Sequence, residues 1–66
     1  MIGIKIMREL ADMSQEELSR QLGVVRQTVS MWETGKACPS ATMLPRIARA
    51  LGCTIEDLYG ASGPEE

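Results

Sequence analysis

The amino-acid sequence predicts an all-α fold of five short helices, and two observations support this prediction. Apolar residues recur every three or four positions along nearly the whole chain, and no alternating run is long enough for a strand. Glycines interrupt this pattern at intervals, where their access to the left-handed backbone region ends a helix. Because 66 residues suffice for one domain only, we assign residues 1–60 to a compact helical bundle and 61–66 to a flexible C-terminal tail.

The first two predicted helices are joined by a turn at Asp12–Met13. The first helix spans about Gly3–Ala11. Its expected buried stripe consists of Ile4, Met7, Leu10 and Ala11. The second helix begins at Ser14–Glu17, where Ser-Gln-Glu-Glu forms a capping box. In this motif the serine hydroxyl and the glutamate carboxylate satisfy backbone N–H groups that a helix start leaves unpaired. The second helix ends at Gly23.

The third helix runs from Val25 or Arg26 to Thr34 and stops at Gly35. At about 100° per residue its two faces differ in chemistry. The face that we expect in the core carries Val25, Val29, Trp32 and Glu33. The opposite face carries the uncharged side chains of Gln27, Ser30, Met31 and Thr34. A face that is merely solvated usually carries lysine and glutamate, so this one is better suited to insertion into a groove.

The last two helices are each expected to start at a threonine. Thr42 is the predicted cap of the fourth helix, after a lead-in turn at Ser40–Ala41. Pro45 then falls in the first turn, where its missing N–H would have had no partner. Acidic residues follow Thr54 and favour the positive end of the fifth helix, which ends at Gly60.

Charge and composition exclude several classes of protein. The net charge is −2, but residues 1–53 hold seven basic and five acidic side chains, so the acidic end can lie away from a nucleic acid. Without histidine, Cys38 and Cys53 cannot complete a zinc site, and we expect both cysteines to be reduced. No signal peptide or membrane-length apolar run occurs, which predicts a cytoplasmic protein. No nucleophile has an evident base, so we expect neither an enzyme nor a cofactor.

Five short motifs follow one another at fixed intervals across nearly the whole chain. They are Met13-Ser14-Gln15-Glu16-Glu17-Leu18, Leu22-Gly23-Val24, Arg26-Gln27-Thr28-Val29-Ser30, Trp32-Glu33-Thr34-Gly35-Lys36 and Pro39-Ser40. In this order they resemble the Cro and phage-repressor (Xre-like) family of helix-turn-helix regulators, from about Ile4 to Gly60. The resemblance implies a lambda-repressor-like DNA-binding domain whose third helix reads double-stranded DNA.

The resemblance also implies roles for individual residues. Those matching base-reading positions are Arg26, Gln27, Ser30 and Met31. Those matching phosphate-contacting positions are Gln15, Thr34 and Lys36. Arg8 and Glu33 match a structural ion pair between the first and third helices. The chain departs from the family pattern at Val25, where a small polar cap is frequent, and at Thr34, where asparagine is frequent.

These observations predict a sequence-specific DNA-binding transcriptional regulator, a repressor, that acts as a homodimer on a near-palindromic operator. One recognition helix reads too few bases for useful selectivity, whereas two of them multiply the discrimination. We expect the dimer surface at the fifth helix, through Leu58 and Tyr59. The alternative is an antitoxin or adaptor module whose main partner is another protein, which the net acidity favours.

Overall fold

The computed structural model describes residues 1–60, and within them the predicted all-α fold is confirmed. The five helices are α1 (Ile2–Leu10), α2 (Gln15–Leu22), α3 (Arg26–Thr34), α4 (Met43–Leu51) and α5 (Ile55–Leu58). The predicted tail, 61–66, lies outside the described residues. None of the described helices has both the length and the apolar character that a membrane span requires.

All five helices contribute to one apolar core. Its buried members are Ile4, Leu18, Leu22, Val29, Trp32, Ile47, Ala48, Leu51 and Leu58. Helix α1 packs on α3, α4 and α5, and α2 packs on α3 and α4. A helix of eight or nine residues is marginal in isolation, so this mutual packing supplies most of the stability of each element. The core thereby holds α2 and α3 in a fixed relative orientation.

Two residues of the predicted α1 stripe are not in the core. Leu10 is 75% exposed, and Ala11, which follows the last residue of the helix, is also exposed. Six positions separate Leu10 from the fully buried Ile4, and six helical positions correspond to a rotation of about 240°. Leu10 therefore points away from the core, and the prediction for both residues was wrong.

The predicted dimer surface also requires correction, because Leu58 is fully buried. Helix α5 lies so close to α1 that a Cβ atom added to Gly3 would be 2.1 Å from the carbonyl oxygen of Asp57. The absence of a side chain at Gly3 thus permits the contact that buries Leu58. Its neighbour Tyr59 is 66% exposed.

The start of α2 forms as the sequence predicts. The Glu17 N–H donates to Ser14 Oγ at 3.0 Å, and the Ser14 N–H donates to Glu17 Oε1 at 2.8 Å. At its other end Gly23 adopts φ 75°, and the N–H of Val24 donates to the carbonyl of Ser19 at 3.0 Å. These local bonds fix both ends of α2.

The start of α4 differs from the prediction. Thr42 precedes the helix, but its side chain makes no capping bond and its backbone is already helical, at φ −77° and ψ −23°. The hydroxyl of Ser40 instead accepts from the Met43 N–H at 3.2 Å. The Ser40 carbonyl accepts from Leu44 at 3.1 Å, so the turn-forming bonds start at Ser40.

The capping bond at Ser40 predicts different effects for two hydroxyl deletions. Ser40→Ala is expected to lower the free energy of unfolding by about 1 kcal/mol, because the Met43 N–H loses its side-chain acceptor and keeps only the Ser40 carbonyl, at 3.0 Å. The matched variant Thr42→Ala is expected to change it by no more than about 0.5 kcal/mol. Urea unfolding of both variants measures the difference, and a larger loss for Thr42→Ala would restore the original prediction.

Candidate nucleic-acid interface

Helices α2 and α3 form a helix-turn-helix around a buried apolar contact. Leu18 and Leu22 of α2 and Val29 of α3 are all buried, and the left-handed Gly23 reverses the chain between the helices. Ser19 is 4% exposed at this packed side of α2, where its hydroxyl donates to the Glu16 carbonyl at 2.8 Å. A small residue with a satisfied hydroxyl allows α2 and α3 to pack closely.

The candidate base-reading residues share the outer face of α3. Arg26 and Gln27 are exposed, and Ser30 and Met31 are half-buried at its border. The opposite side of α3 is in the core: Val29, Trp32 and Glu33 are 0%, 4% and 8% exposed. The helix therefore presents a polar outer face, while its opposite face is buried in the core.

Val25 is a residue of this surface that the sequence analysis assigned to the core. It is 68% exposed, so that prediction was wrong. Its backbone is extended, at φ −79° and ψ 154°, because it precedes the first helical residue, and helical spacing therefore does not describe its direction. It makes no side-chain capping bond. The result is a small apolar surface next to Arg26.

An ion pair joins α1 to the buried side of α3. Arg8 Nε lies 2.7 Å from Glu33 Oε2, Arg8 Nη2 lies 3.3 Å from Glu33 Oε1, and the two side chains are only 11% and 4% exposed. Arg8 Nη1 also donates to the Met13 carbonyl at 2.7 Å. The hydrogen bond with Glu33 raises the pKa of Arg8, although burial of the guanidinium opposes this effect. The Arg8 side chain thus connects α1 with α3 and with the turn that precedes α2.

The ion pair continues into the exposed surface through Gln15. Gln15 Nε2 donates to Glu33 Oε1 at 3.0 Å, and Arg26 Nη1 donates to Gln15 Oε1 at 3.3 Å. A carboxylate only accepts hydrogen bonds and a guanidinium only donates them, so the amide of Gln15 has one favourable orientation between them. The family resemblance implies separate roles for Gln15 and Arg26 and does not predict this contact.

The other candidate phosphate contacts lie at the C-terminal end of α3. The Thr34 hydroxyl donates to the Ser30 carbonyl at 3.1 Å, so this donor already has an acceptor within α3. Lys36 is exposed in the turn after Gly35, and its backbone N–H donates to the Met31 carbonyl at 3.0 Å. Because Gln15 contacts the first residue of α3, the three candidates flank both ends of the helix.

Comparison with known proteins shows the class to which this fold and site belong. The helix-turn-helix family model matches residues 4–58. The chain belongs to the Cro/C1-type helix-turn-helix family, a class of DNA-binding regulators of transcription.

Curated relatives agree with this class, and one solved structure shares the fold. An uncharacterized HTH-type transcriptional regulator of Methanocaldococcus jannaschii is 41% identical over 56 residues, which cover 85% of each chain. The HTH-type transcriptional activator BcrR of Enterococcus faecalis is 39% identical over 82% of this chain and 26% of its own length. The crystal structure of FeII HppE in complex with substrate has a TM-score of 0.82 at 34% identity, covering 96% of this chain but 37% of that one. Most of HppE therefore has no counterpart here.

Proposed function

We propose that the protein is a sequence-specific repressor of transcription that inserts α3 into the major groove of double-stranded DNA. The observation that carries this proposal is the outer face of α3, where Arg26, Gln27 and Ser30 are accessible while Val29 and Trp32 fill the core behind them. The major groove is about 12 Å wide and admits an α-helix. A helix held by the core on one side and polar on the other suits this space.

The side chains of this face suit the edges of base pairs. Arg26 can donate two hydrogen bonds to O6 and N7 of guanine, and Gln27 can donate to N7 and accept from N6 of adenine. Arg26 uses a single N–H in its contact with Gln15, so donors remain for guanine. Val25 and Met31 offer apolar surface for the methyl group of thymine.

Phosphate contacts from both ends of α3 would fix the helix in the groove. Gln15 is the first residue of α2, where backbone N–H groups and the helix dipole favour an anion. Its amide donates one hydrogen to Glu33 and has a second one for a phosphate oxygen. Lys36 adds a positive charge at the opposite end, with Thr34 beside it.

A homodimer on a near-palindromic operator gives this small surface its selectivity. Successive half-sites on one face of the duplex are about 34 Å apart. The described domain measures 33 × 23 × 19 Å, so two copies placed end to end along the longest dimension would lie about that far apart. We assign repression because a dimer bound across a promoter excludes polymerase without any further contact.

A titration at several salt concentrations tests this function. Binding to double-stranded DNA is expected to weaken linearly in a log–log plot against salt, with a slope of about −0.9 for each neutralised phosphate. Lys36→Ala is expected to reduce this slope by about 0.9 per protomer on every sequence. The control Arg49→Ala removes the same charge from the exposed last turn of α4 and is expected to leave the slope unchanged.

The result also separates DNA binding from the alternative function. An adaptor or antitoxin whose main partner is another protein would show no salt-dependent affinity for duplex DNA. Such a result, obtained with folded protein, would contradict the proposed function. A slope that responds equally to both variants would show that Lys36 has no specific phosphate contact.

A further inference from the structure

A chain of hydrogen bonds leads from the buried ion pair to the outer face of α3. Glu33 Oε1 accepts from Arg8 Nη2 at 3.3 Å and from Gln15 Nε2 at 3.0 Å. Gln15 Oε1 in turn accepts from Arg26 Nη1 at 3.3 Å. The exposure of the side chains increases along this chain, from the buried Glu33 through the half-buried Gln15 to the exposed Arg26. Two hydrogen bonds therefore separate a buried carboxylate from a candidate base-reading residue.

The Glu33 carboxylate has a fixed position at the start of this chain. Arg8 binds both of its oxygens, Nε at 2.7 Å to Oε2 and Nη2 at 3.3 Å to Oε1. Its neighbour Trp32 is buried in the core, so the backbone that carries Glu33 is held as well. A carboxylate bound by two parallel hydrogen bonds from one guanidinium keeps a defined orientation. Gln15 therefore meets an acceptor that does not move.

The charge of Glu33 determines which end of the Gln15 amide faces Arg26. In the observed orientation each end of the amide meets a group of opposite hydrogen-bonding character. The reversed orientation would set the amide oxygen against Glu33 Oε1 and the amide N–H groups against the Arg26 guanidinium. A carboxylate has no hydrogen to donate and a guanidinium has no acceptor, so both contacts would be repulsive.

The contact with Gln15 leaves one edge of the Arg26 guanidinium available. Within residues 1–60, Nε and Nη2 of Arg26 have no hydrogen-bonding partner, whereas Nη1 has Gln15. Arg8 shows what such an edge can bind: its Nη1 donates to the Met13 carbonyl, and its Nε and Nη2 bind the two oxygens of Glu33. Guanine offers a comparable pair of acceptors, O6 and N7, in the major groove.

We propose that Glu33 is a positioning residue for base reading, which acts by fixing the Gln15 amide so that Arg26 presents its Nε–Nη2 edge to guanine. This proposal rests on the proposed function and gives the buried carboxylate a role in selectivity besides its role in stability. A long exposed side chain loses conformational entropy when it binds, and a hydrogen bond that already restrains it reduces this loss. The gain applies only to a base that accepts from both nitrogens, so it favours guanine over the other bases.

Replacing the whole ion pair with apolar residues tests the effect on selectivity. The variant Arg8→Met/Glu33→Leu removes the carboxylate and its counterion together, a type of change that often preserves the fold. The probes are the duplex most enriched from a random pool and a duplex changed at the base pair whose preference Arg26→Ala removes. Wild type is expected to prefer the first duplex by about tenfold or more. The double variant is expected to bind the two duplexes within about twofold of each other.

Arg8→Lys provides the matched control, because it keeps both Glu33 and a positive charge beside it. The lysine cannot reproduce the two parallel hydrogen bonds and the bond to Met13, so the melting temperature is expected to fall. The acceptor for Gln15 remains, so the preference between the two duplexes is expected to stay within about twofold of wild type. A preference that falls together with the melting temperature in this variant would show a structural role only and overturn the proposal.

Nuclear magnetic resonance of the DNA-free protein tests the positioning step by itself. The side-chain amide of Gln15 is expected to be ordered on the nanosecond timescale, whereas that of the exposed Gln27 is expected to be mobile. Equal mobility of the two amides in wild type overturns the positioning role, whether or not the double variant folds. A folded double variant with wild-type selectivity also overturns it. Failure of wild type to enrich any duplex, with an ordered Gln15 amide, overturns the proposed function instead.

Discussion

Replacing Glu33 with alanine is expected to lower the free energy of unfolding by about 3–5 kcal/mol. The Glu33 carboxylate is 4% exposed and accepts hydrogen bonds from Arg8 and Gln15. Its removal leaves the Arg8 guanidinium, itself 11% exposed, as a buried charge without a counterion. It also removes the side-chain hydrogen bonds that join α1 to α3, although the apolar contact between the two helices remains. Urea or thermal unfolding monitored by circular dichroism measures the change.

A second ion pair in the same protein provides the matched control. Glu16 binds Arg20 at 3.1 Å, but the two side chains are 67% and 73% exposed. Water screens such a pair, so Glu16→Ala is expected to cost no more than about 0.5 kcal/mol. Equal stability losses for Glu33→Ala and Glu16→Ala would show that burial does not increase the contribution of the Arg8–Glu33 pair to the free energy of unfolding.

Replacing Arg26 with alanine is expected to cost about 1–3 kcal/mol of binding free energy on the preferred DNA sequence and to remove the preference at one base pair. Arg26 is exposed at the first turn of α3 and retains donors for a base edge. Arg49→Ala serves as the control, because it removes an exposed arginine at the far end of α4. Fluorescence anisotropy on the preferred duplex and on duplexes changed at one position measures both effects.

The hydrogen bond between Gln15 and Arg26 leads to a related prediction for the same base pair. Since Gln15 Oε1 accepts from Arg26 and Gln15 Nε2 donates to Glu33, Gln15→Ala is expected to relax the same base preference as Arg26→Ala. A double-mutant cycle of the two changes is expected to be non-additive. Equal losses of Arg26→Ala on all duplexes would contradict base reading and indicate a phosphate contact.

The features that the sequence predicted correctly arise mostly from contacts between residues that are close together in the chain. The capping box at Ser14–Glu17 and the stop at Gly23 involve contacts within five residues, and local chemistry determines both. The order and number of the helices follow from the same local signals. The pairing of Arg8 with Glu33 is an exception, because these residues are 25 positions apart; the family resemblance implied the pair, and the structure contains it.

The features that sequence did not predict depend on geometry beyond one helix. Whether Ser40 or Thr42 caps α4 depends on their backbone angles, and the residue types alone do not determine these angles. Val25 lies outside the helix, where a periodic pattern has no meaning. The burial of Leu58 results from the close approach of α5 to α1. The contact of Gln15 with Arg26 joins residues eleven positions apart and depends on their rotamers.

Selection of bound duplexes from a random pool is the most direct test of base reading by α3. Wild-type protein is expected to enrich duplexes with two inverted copies of one short half-site, their centres about one helical turn apart. The same selection with Arg26→Ala is expected to return that pattern with one position of each half-site randomised. A pool that stays random after repeated rounds, or an enriched motif that is identical for both proteins, would contradict recognition of base edges by this helix.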